Sequence, residues 1–394
     1  MPPPVLVPAP TGPLTIARGS DPAVKLSLVI PTFNESKNVG TLIGQLHGLL
    51  QGPLEGKYEL IVVDDDSPDR TWEVALKCAE ADPRVRVIRR QGERGLSTAV
   101  IRGWQAARGE VLAVMDADLQ HPPEVNVGLW AEMARGADLA AGSRHVEGGG
   151  VSNWSLLRRM LSRGAQLLGL LILPGVLSRV SDPMSGYFMV RRSALDGVTL
   201  DPLGYKILIE VLGRGHIKWV SEVGYVFRER VEGESKVTGK LYIEYLLHLL
   251  KLRRDTLWRS SFFRFCVVGT TGVAVDMGLL YLLSDPRSLG LGLTRSKILA
   301  AEAAIIWNFL LNDAWTFGER SAKAPGVRAK LRRFLGFNAI CTAGLALNVG
   351  LLNLLFNLGH VNRYLANAVA ILAVTGWNYW LNRQLNWAPV RSEE

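Results

Sequence analysis

An apolar run at Val111–Met115 leads straight into Asp116-Ala117-Asp118-Leu119-Gln120. Two carboxylates one residue apart can face one divalent cation, and Mg²⁺ and Mn²⁺ prefer oxygen ligands completed by water and substrate phosphates. Alone, the pair reads equally well as a solvated turn, so its neighbours decide. Asp64-Asp65-Asp66 follows a second apolar run, Leu60–Val63. Adjacent acids repel unless they meet a cation or hydrogen-bond donors. One of the three is therefore expected to contact a nucleotide base or ribose, and the others to cap the next helix. Pro31-Thr32-Phe33-Asn34-Glu35 closes a third run, and Gly92 and Gly95 precede a helix whose N-terminus suits a phosphate. The chain has neither G-x-G-x-x-G nor G-x-x-x-x-G-K-[ST], which argues against hydride transfer and P-loop hydrolysis.

Short β runs alternate with helical periodicity from Lys25 onward: Leu26–Ile30, Tyr58–Val63, Val85–Ile88 and Val111–Met115, with helices over Ser36–Leu50, from about Thr71 and after Gly95. This alternation predicts an α/β domain with a parallel sheet covered by helices. The polar segments then leave the carboxyl ends of their strands along one edge, where open sheets bind ligands. Residues 1–23, with five prolines in the first ten, read as a disordered lead-in without the basic start and apolar stretch of a signal peptide. Three widely spaced cysteines, Cys78, Cys266 and Cys341, exclude a disulfide scaffold and fit a reducing compartment.

The 394 residues carry a net charge of +9 and a mean hydropathy of +0.14, an average over two unlike parts. Beyond residue 260, four stretches approach the 20 or so apolar residues that a bilayer core requires. We expect a 241–260 juxtamembrane segment and a 261–389 four-helix domain, with spans at about 265–284, 298–317, 334–357 and 364–382. Lys251, Arg253, Arg254 and Arg259 precede the first span, and Arg320, Lys323, Arg328, Lys330, Arg332 and Arg333 separate the second and third. Only Arg363 lies between the last two, a bias that puts the N-terminal domain in the cytoplasm. Because these bases flank spans, the positive charge points to lipid headgroups and not to nucleic acid. Within Leu156–Leu177 the apolar core, Ala165–Leu173, is too short to span and is followed by Pro174; with Arg158, Arg159 and Arg163 at one end the segment fits an interfacial helix. Asp276 and Glu302, inside the proposed spans, suit either a functional role or a structural pairing, for instance with Arg295 or Lys297.

Taken together, PTFNE at 31–35, VVDDDSPD at 62–69, MDADLQHPPE at 115–124, GSR at 142–144, SDPMSGYF at 181–188 and RVEGESK at 230–236 resemble family 2 glycosyltransferases. The resemblance is greatest to the dolichol- or polyprenyl-phosphate mannose synthase group. It implies a GT-A fold over residues 24–240 and an inverting, single-sugar transferase. The C-terminal part, through GTTGVAVDMG at 269–278, resembles a GtrA-type membrane domain. By the same resemblance, Asp116, Asp118 and Gln120 match a Mg²⁺ or Mn²⁺ site on the sugar-nucleotide diphosphate. Pro31, Asn34, Glu35 and Asp64 or Asp65 match donor contacts. Arg230 and Lys236 match a basic pair between donor diphosphate and acceptor phosphate, and Arg144, Arg158 and Ser162 match acceptor-phosphate contacts. Asp66 stands where the family often has Gly, an extra acid of little consequence if it points to solvent.

The implied reaction moves a hexose to a lipid monophosphate, whose second pKa of about 6 makes it a nucleophile without a base. Metal and cationic side chains, with Asp118, Arg230 and Lys236 at the reacting groups, bring two anions together. Asp182 reads as a turn or cap acid, with a basic role as the alternative. GDP-mannose is the expected donor and UDP-glucose the alternative. The membrane domain is read as an anchor, with glycolipid translocation as the competing reading, and a non-enzymatic sugar-nucleotide sensor is a further class.

Overall fold

A computed structural model describes residues 6–151, 156–228 and 239–388. The chain forms two compact units, Met1–Arg254 and Asp255–Glu394.

In the first unit, β1 (Leu26–Thr32), β2 (Tyr58–Asp64), β3 (Val85–Arg89), β4 (Val111–Val114) and β5 (Leu139–Ser143) alternate with α1 (Val39–Leu54), α2 (Thr71–Ala81), α3 (Leu96–Ala106) and α4 (Val125–Ala134). There follow β6 (Gly150–Val151), α5 (Leu156–Ile172), α6 (Pro174–Leu177), β7 (Phe188–Arg191), α7 (Ile207–Arg214), β8 (Val220–Gly224), β9 (Val226–Phe227) and α8 (Gly239–Arg259). Seven strands make one sheet in the order β3-β2-β1-β4-β7-β5-β8, and β6 pairs with β9. The sheet is mixed and not wholly parallel, because β7 runs antiparallel to both β4 and β5. An apolar run such as FMVR has no direction of its own, so periodicity alone does not expose this reversal.

Every residue of β1 and β2 is buried, as expected for strands covered on both faces. Val29, Ile61 and Val63 pack on one side with Trp104, whose indole N–H donates to the Ala113 carbonyl at 3.1 Å. Leu28, Ile30, Leu60 and Val62 pack on the other side with Leu42, Leu46 and Leu50 of α1. α3 approaches β1 so closely that a Cβ on Gly103 would lie 2.6 Å from a Val29 methyl.

The N-terminal segment departs from the expected disorder. Over residues 6–23 it is a strap. Val7 N–H donates to Val87 O on β3 at 2.8 Å, and Leu200 N–H donates to Leu14 O at 2.9 Å. Arg102 and Gln105 of α3 donate to the carbonyls of Gly12, Pro13 and Thr15. Proline cannot donate, but carbonyls in a proline-rich segment accept, and the strap covers part of an otherwise open sheet edge.

The second unit contains α9 (Ser261–Ser284), α10 (Leu293–Leu311), α11 (Gly318–Ala322), α12 (Val327–Asn353) and α13 (Arg363–Leu381), with π-type turns closing α10, α12 and α13. Two helices, Ser261–Ser284 and Val327–Leu358, are long and apolar enough to cross a membrane, with mean hydropathies of 1.7 and 1.9. α10 carries Arg295, Lys297 and Glu302, and neither it nor α13 meets that standard.

The unit is an internal repeat. Ser296, Ala300 and Ala304 are buried along α10, and Ala366, Ala370 and Val374 stand at the same spacing along α13. Trp307-Asn308-Phe309 recurs as Trp377-Asn378-Tyr379. A Cβ on Gly272 would meet the Asn308 amide at 2.2 Å, and one on Gly344 would meet the Asn378 amide at 2.5 Å. Each half is thus an antiparallel hairpin zipped by small residues, as close helix packing requires. The halves join through Phe309, Phe317, Phe337 and Trp387, with Phe317 and Trp387 stacked at 4.6 Å. Asp313 ties them as well, accepting from Arg333 at 2.8 Å and from the Trp387 indole at 3.1 Å. Asp276 pairs with Lys297 at 2.5 Å, the structural pairing that the sequence left open.

Gly103→Ala is expected to lower stability by about 1–3 kcal/mol, the usual range for overpacking a filled core. Thermal unfolding in detergent measures it, and an unchanged midpoint would disprove the close approach.

Candidate active site

The β1–β2 ladder pairs Thr32 with Asp64, and the β1–β4 ladder pairs Val29 with Val114. The segments 31–35, 64–69 and 116–120 therefore leave one edge of the sheet side by side. They are stitched together there. Asn34, in the left-handed region at φ 61°, donates its N–H to Ser67 Oγ at 3.0 Å. Glu35 N–H donates to Thr71 Oγ1 at 2.9 Å, and Ser36 N–H to Asp69 at 3.0 Å.

The three consecutive acids do different work. Asp64 accepts from the Thr32 hydroxyl at 2.9 Å and from the Ser67 N–H and hydroxyl at 2.8 and 2.6 Å, so it closes the turn. Asp65 accepts from Arg90 Nε at 2.7 Å and Gly95 N–H at 2.9 Å. Burial raises the Asp65 carboxyl, against the pull of that N–H and the guanidinium. Asp66 does not face solvent alone: it pairs with Arg89, which stacks on Trp72 at 4.1 Å. Nor do Asp65 and Asp66 cap α2; Asp69 does, accepting from Thr71 N–H at 3.1 Å. Beside them Arg94 lies over the Phe33 ring at 5.1 Å.

Asp118 is buried and accepts the Gln120 N–H at 3.1 Å. Leu119 between them is left-handed at φ 58°, a strained state for a branched side chain and a common mark of functional loops. Gln120 is also clamped from across the sheet. Its amide NH₂ donates to Arg228 O at 3.1 Å, and Arg228 N–H donates to Gln120 O at 3.0 Å. Asp116 borders the 181–188 loop, where a Cβ on Gly186 would lie 3.6 Å from Asp116 Oδ2. Two carboxylates and an amide oxygen on one short loop make an all-oxygen donor set. No third His, Cys, Asp or Glu joins a metal-holding group among the described residues. That set suits the oxygen preference of Mg²⁺ or Mn²⁺, and these are the residues that could hold such an ion.

Arg144, at the end of β5, meets Asp182 through Nε at 2.6 Å and Nη2 at 2.8 Å, and lies over Phe227 at 5.7 Å. Burial pushes the Asp182 carboxyl up, but the Arg144 hydrogen bonds and charge bring it below its ordinary value. Asp182 is thus ion-paired with Arg144 and sits in a turn, as expected, where Ser185 N–H donates to its carbonyl at 3.2 Å. Glu222 fixes that turn by accepting from Ser181 Oγ at 2.7 Å. Arg230 and Lys236 lie outside the described residues, as do the side chains of Arg158 and Ser162 on α5.

One cation escaped the sequence reading. Lys206, just before α7, is half-buried and donates to Met184 O at 2.7 Å in the 181–188 loop. Burial and Arg144 lower its pKa to about 8, against Asp182 and Asp116. The available signal was a Lys beside the ILIEVLG segment, apolar but for Glu210, which reads equally well as a helix end.

Residues 27–199 match the glycosyl transferase family 2 model, and residues 264–387 match the GtrA/DPMS transmembrane domain. The first unit is thus a GT-A catalytic domain of a glycosyltransferase, and the second belongs to a membrane protein. A dolichol-phosphate mannosyltransferase of Pyrococcus furiosus is 41% identical over 93% of this chain and 100% of its own. The dolichol-phosphate mannosyltransferase of Saccharomyces cerevisiae is 33% identical over 62% of this chain and 97% of its own. A polyprenol monophosphomannose synthase of Mycolicibacterium smegmatis is 38% identical over 56% and 86%. Among solved structures, a glucosyl-3-phosphoglycerate synthase from Mycobacterium tuberculosis aligns over 58% of this chain and 80% of its own, with 21% identity and a TM-score of 0.47. The chain belongs to the dolichol-phosphate mannosyltransferase family.

If the Lys206 ammonium serves the reaction, activity should fall as pH rises through about 8, where the group loses its proton. Lys206→Arg should move that alkaline limb upward; a pH–rate profile with the same limb in both proteins would dismiss the role.

Proposed function

We propose that this enzyme transfers mannose from GDP-mannose to dolichyl or another polyprenyl phosphate at the cytoplasmic membrane face, with inversion at the anomeric carbon. The observation that carries the reading is the full-length match to the Pyrococcus furiosus mannosyltransferase, which spans both units of this chain.

In this reading Pro31, Asn34 and Glu35 line the donor nucleotide, while Asp64 and Asp65 shape the wall through Ser67, Arg90 and Gly95. Asp116, Asp118 and Gln120 hold Mg²⁺ or Mn²⁺, which when bound offsets the charge developing on the departing nucleoside diphosphate. Arg144, aimed by Asp182, receives the acceptor phosphate together with Arg158 and Ser162. Arg230 and Lys236 screen the two anions from each other. The phosphate attacks as an anion already present at neutral pH, so no side chain has to remove a proton. The ion-paired state of Asp182 accords with that.

The acceptor's tail is met by two helices. Tyr245, Leu249 and Leu252 of α8 pack with Ala165 of α5 and with Leu173 and Leu177, and Tyr245 donates to Ala165 O at 2.9 Å. Leu167, Leu168 and Leu171 of α5 and Ile243, Leu247 and Leu250 of α8 remain exposed. Such outward apolar faces suit the headgroup–acyl boundary. All four long helices of the second unit cross the bilayer in this reading. The repeat supports it, because each hairpin pairs one strongly apolar helix with an antiparallel partner zipped along its length. Both hairpins then return their ends to the side of the basic 318–333 segment. The membrane domain acts as an anchor, and its Asp276 is neutralised by Lys297.

Membranes carrying the protein, incubated with radiolabelled GDP-mannose, polyprenyl phosphate and Mn²⁺, should pass label into an organic extract. Asp118→Ala should abolish it. Label only from UDP-glucose would overturn the donor, and no lipid label from either would overturn the acceptor. Leu167→Glu with Leu171→Glu should raise the KM for long-chain polyprenyl phosphate several-fold and leave the KM for the donor unchanged.

A further inference from the structure

His121 follows the metal-loop residues but has no part in the reading above. Its ring is buried in a cage of three aromatic rings, Tyr187 at 5.1 Å, Phe227 at 5.3 Å and Tyr225 at 5.5 Å between centroids. The cage is itself fixed, since the Tyr187 hydroxyl donates to Pro122 O at 3.1 Å and β9, which carries Phe227, pairs with β6. Aromatic walls leave the imidazole little freedom to turn. Within this apolar enclosure its Nδ1 is buried and makes no hydrogen bond. A polar nitrogen left so is costly, and such exceptions in folded proteins call for a reason. The carboxylate oxygen across from it is Asp116 Oδ2, at 3.8 Å. That is beyond a hydrogen bond, but a carboxylate movement of less than about 1 Å would bring it within range.

We infer that His121 is a positioning residue for Asp116: its Nδ1–H, held by the Tyr187–Tyr225–Phe227 cage, engages Asp116 Oδ2 when the other carboxylate oxygen turns to the cation. The inference rests on the assignment of Asp116 as a metal ligand. It gives the loop a fixed donor behind the ligating carboxylate, the kind of outer partner whose loss weakens metal binding. Phe227 of the cage touches His121 on one hand and Arg144 on the other.

The test is Mn²⁺ binding alone, followed by the electron paramagnetic resonance of free Mn²⁺, with full-length protein in detergent. His121→Phe keeps an aromatic ring in the cage and removes the donor; His121→Asn returns an N–H near the Nδ1 position. The expected result is a loss of Mn²⁺ affinity of about tenfold or more in H121F, recovery of most of it in H121N, and unfolding midpoints close to wild type in both. Wild-type affinity in H121F, or equal losses in H121F and H121N, would overturn the inference. Asp116→Asn separates the two levels. If D116N weakens Mn²⁺ binding and H121F does not, only the role of His121 fails; if D116N binds like wild type, the metal assignment fails and His121 with it.

Discussion

The pairing of β1 with β2 on one side and β4 on the other is the constraint on which the site depends. Both ladders are parallel, so all three strands spill their following residues over one edge, and the registers fix how far each reaches. A one-residue slip would turn every side chain of a strand to the opposite face. Burial of both sheet faces prevents that slip, because Leu26, Leu28 and Ile30 of β1 belong to one apolar cluster and Val29 to the other. The precision of the site is thus inherited from the core. The loops then add their own bonds: Ser67 and Thr71 hold the 34–35 backbone, and Gln120 grips Arg228 from across the sheet.

Charge is handled in the same manner. The wall of acids over 64–66 would be self-repelling, yet each carboxylate has its own compensation: hydroxyls and an N–H for Asp64, Arg90 for Asp65, and Arg89 for Asp66. The buried Arg144–Asp182 pair follows the same rule, with Glu222 behind it. Breaking such pairs is costlier than their net contribution suggests, because a buried partner is left without compensation.

Much of this was legible in the sequence. The apolar runs marked the strands of the parallel half, and the acids that follow them marked the shared edge. The identity of Asp116 and Asp118 as a pair needed only adjacency in the chain. What could not be read depended on long-range meetings. Nothing local to Asp65 names Arg90, and nothing local to Asp182 names Arg144. β7 has a composition like that of the parallel strands, so its reversal was invisible. The proline-rich N-terminus looked unstructured because periodicity measures side chains, whereas the strap is held chiefly through its backbone and by Ile16 against the core.

The doubled hairpin of the membrane unit carries its own internal standard. Positions at which the two copies agree, such as Gly272 with Gly344 and Asn308 with Asn378, are those a stable hairpin of this kind requires. Positions at which they part company are released from that requirement. Asp313 stands where the second copy has Arg383, and Asp276 where it has Asn348. The first divergence allows one hairpin to grip the other through Arg333 and Trp387. Symmetry thus acts as a sieve, separating what duplication had to keep from what the joined pair was free to invent.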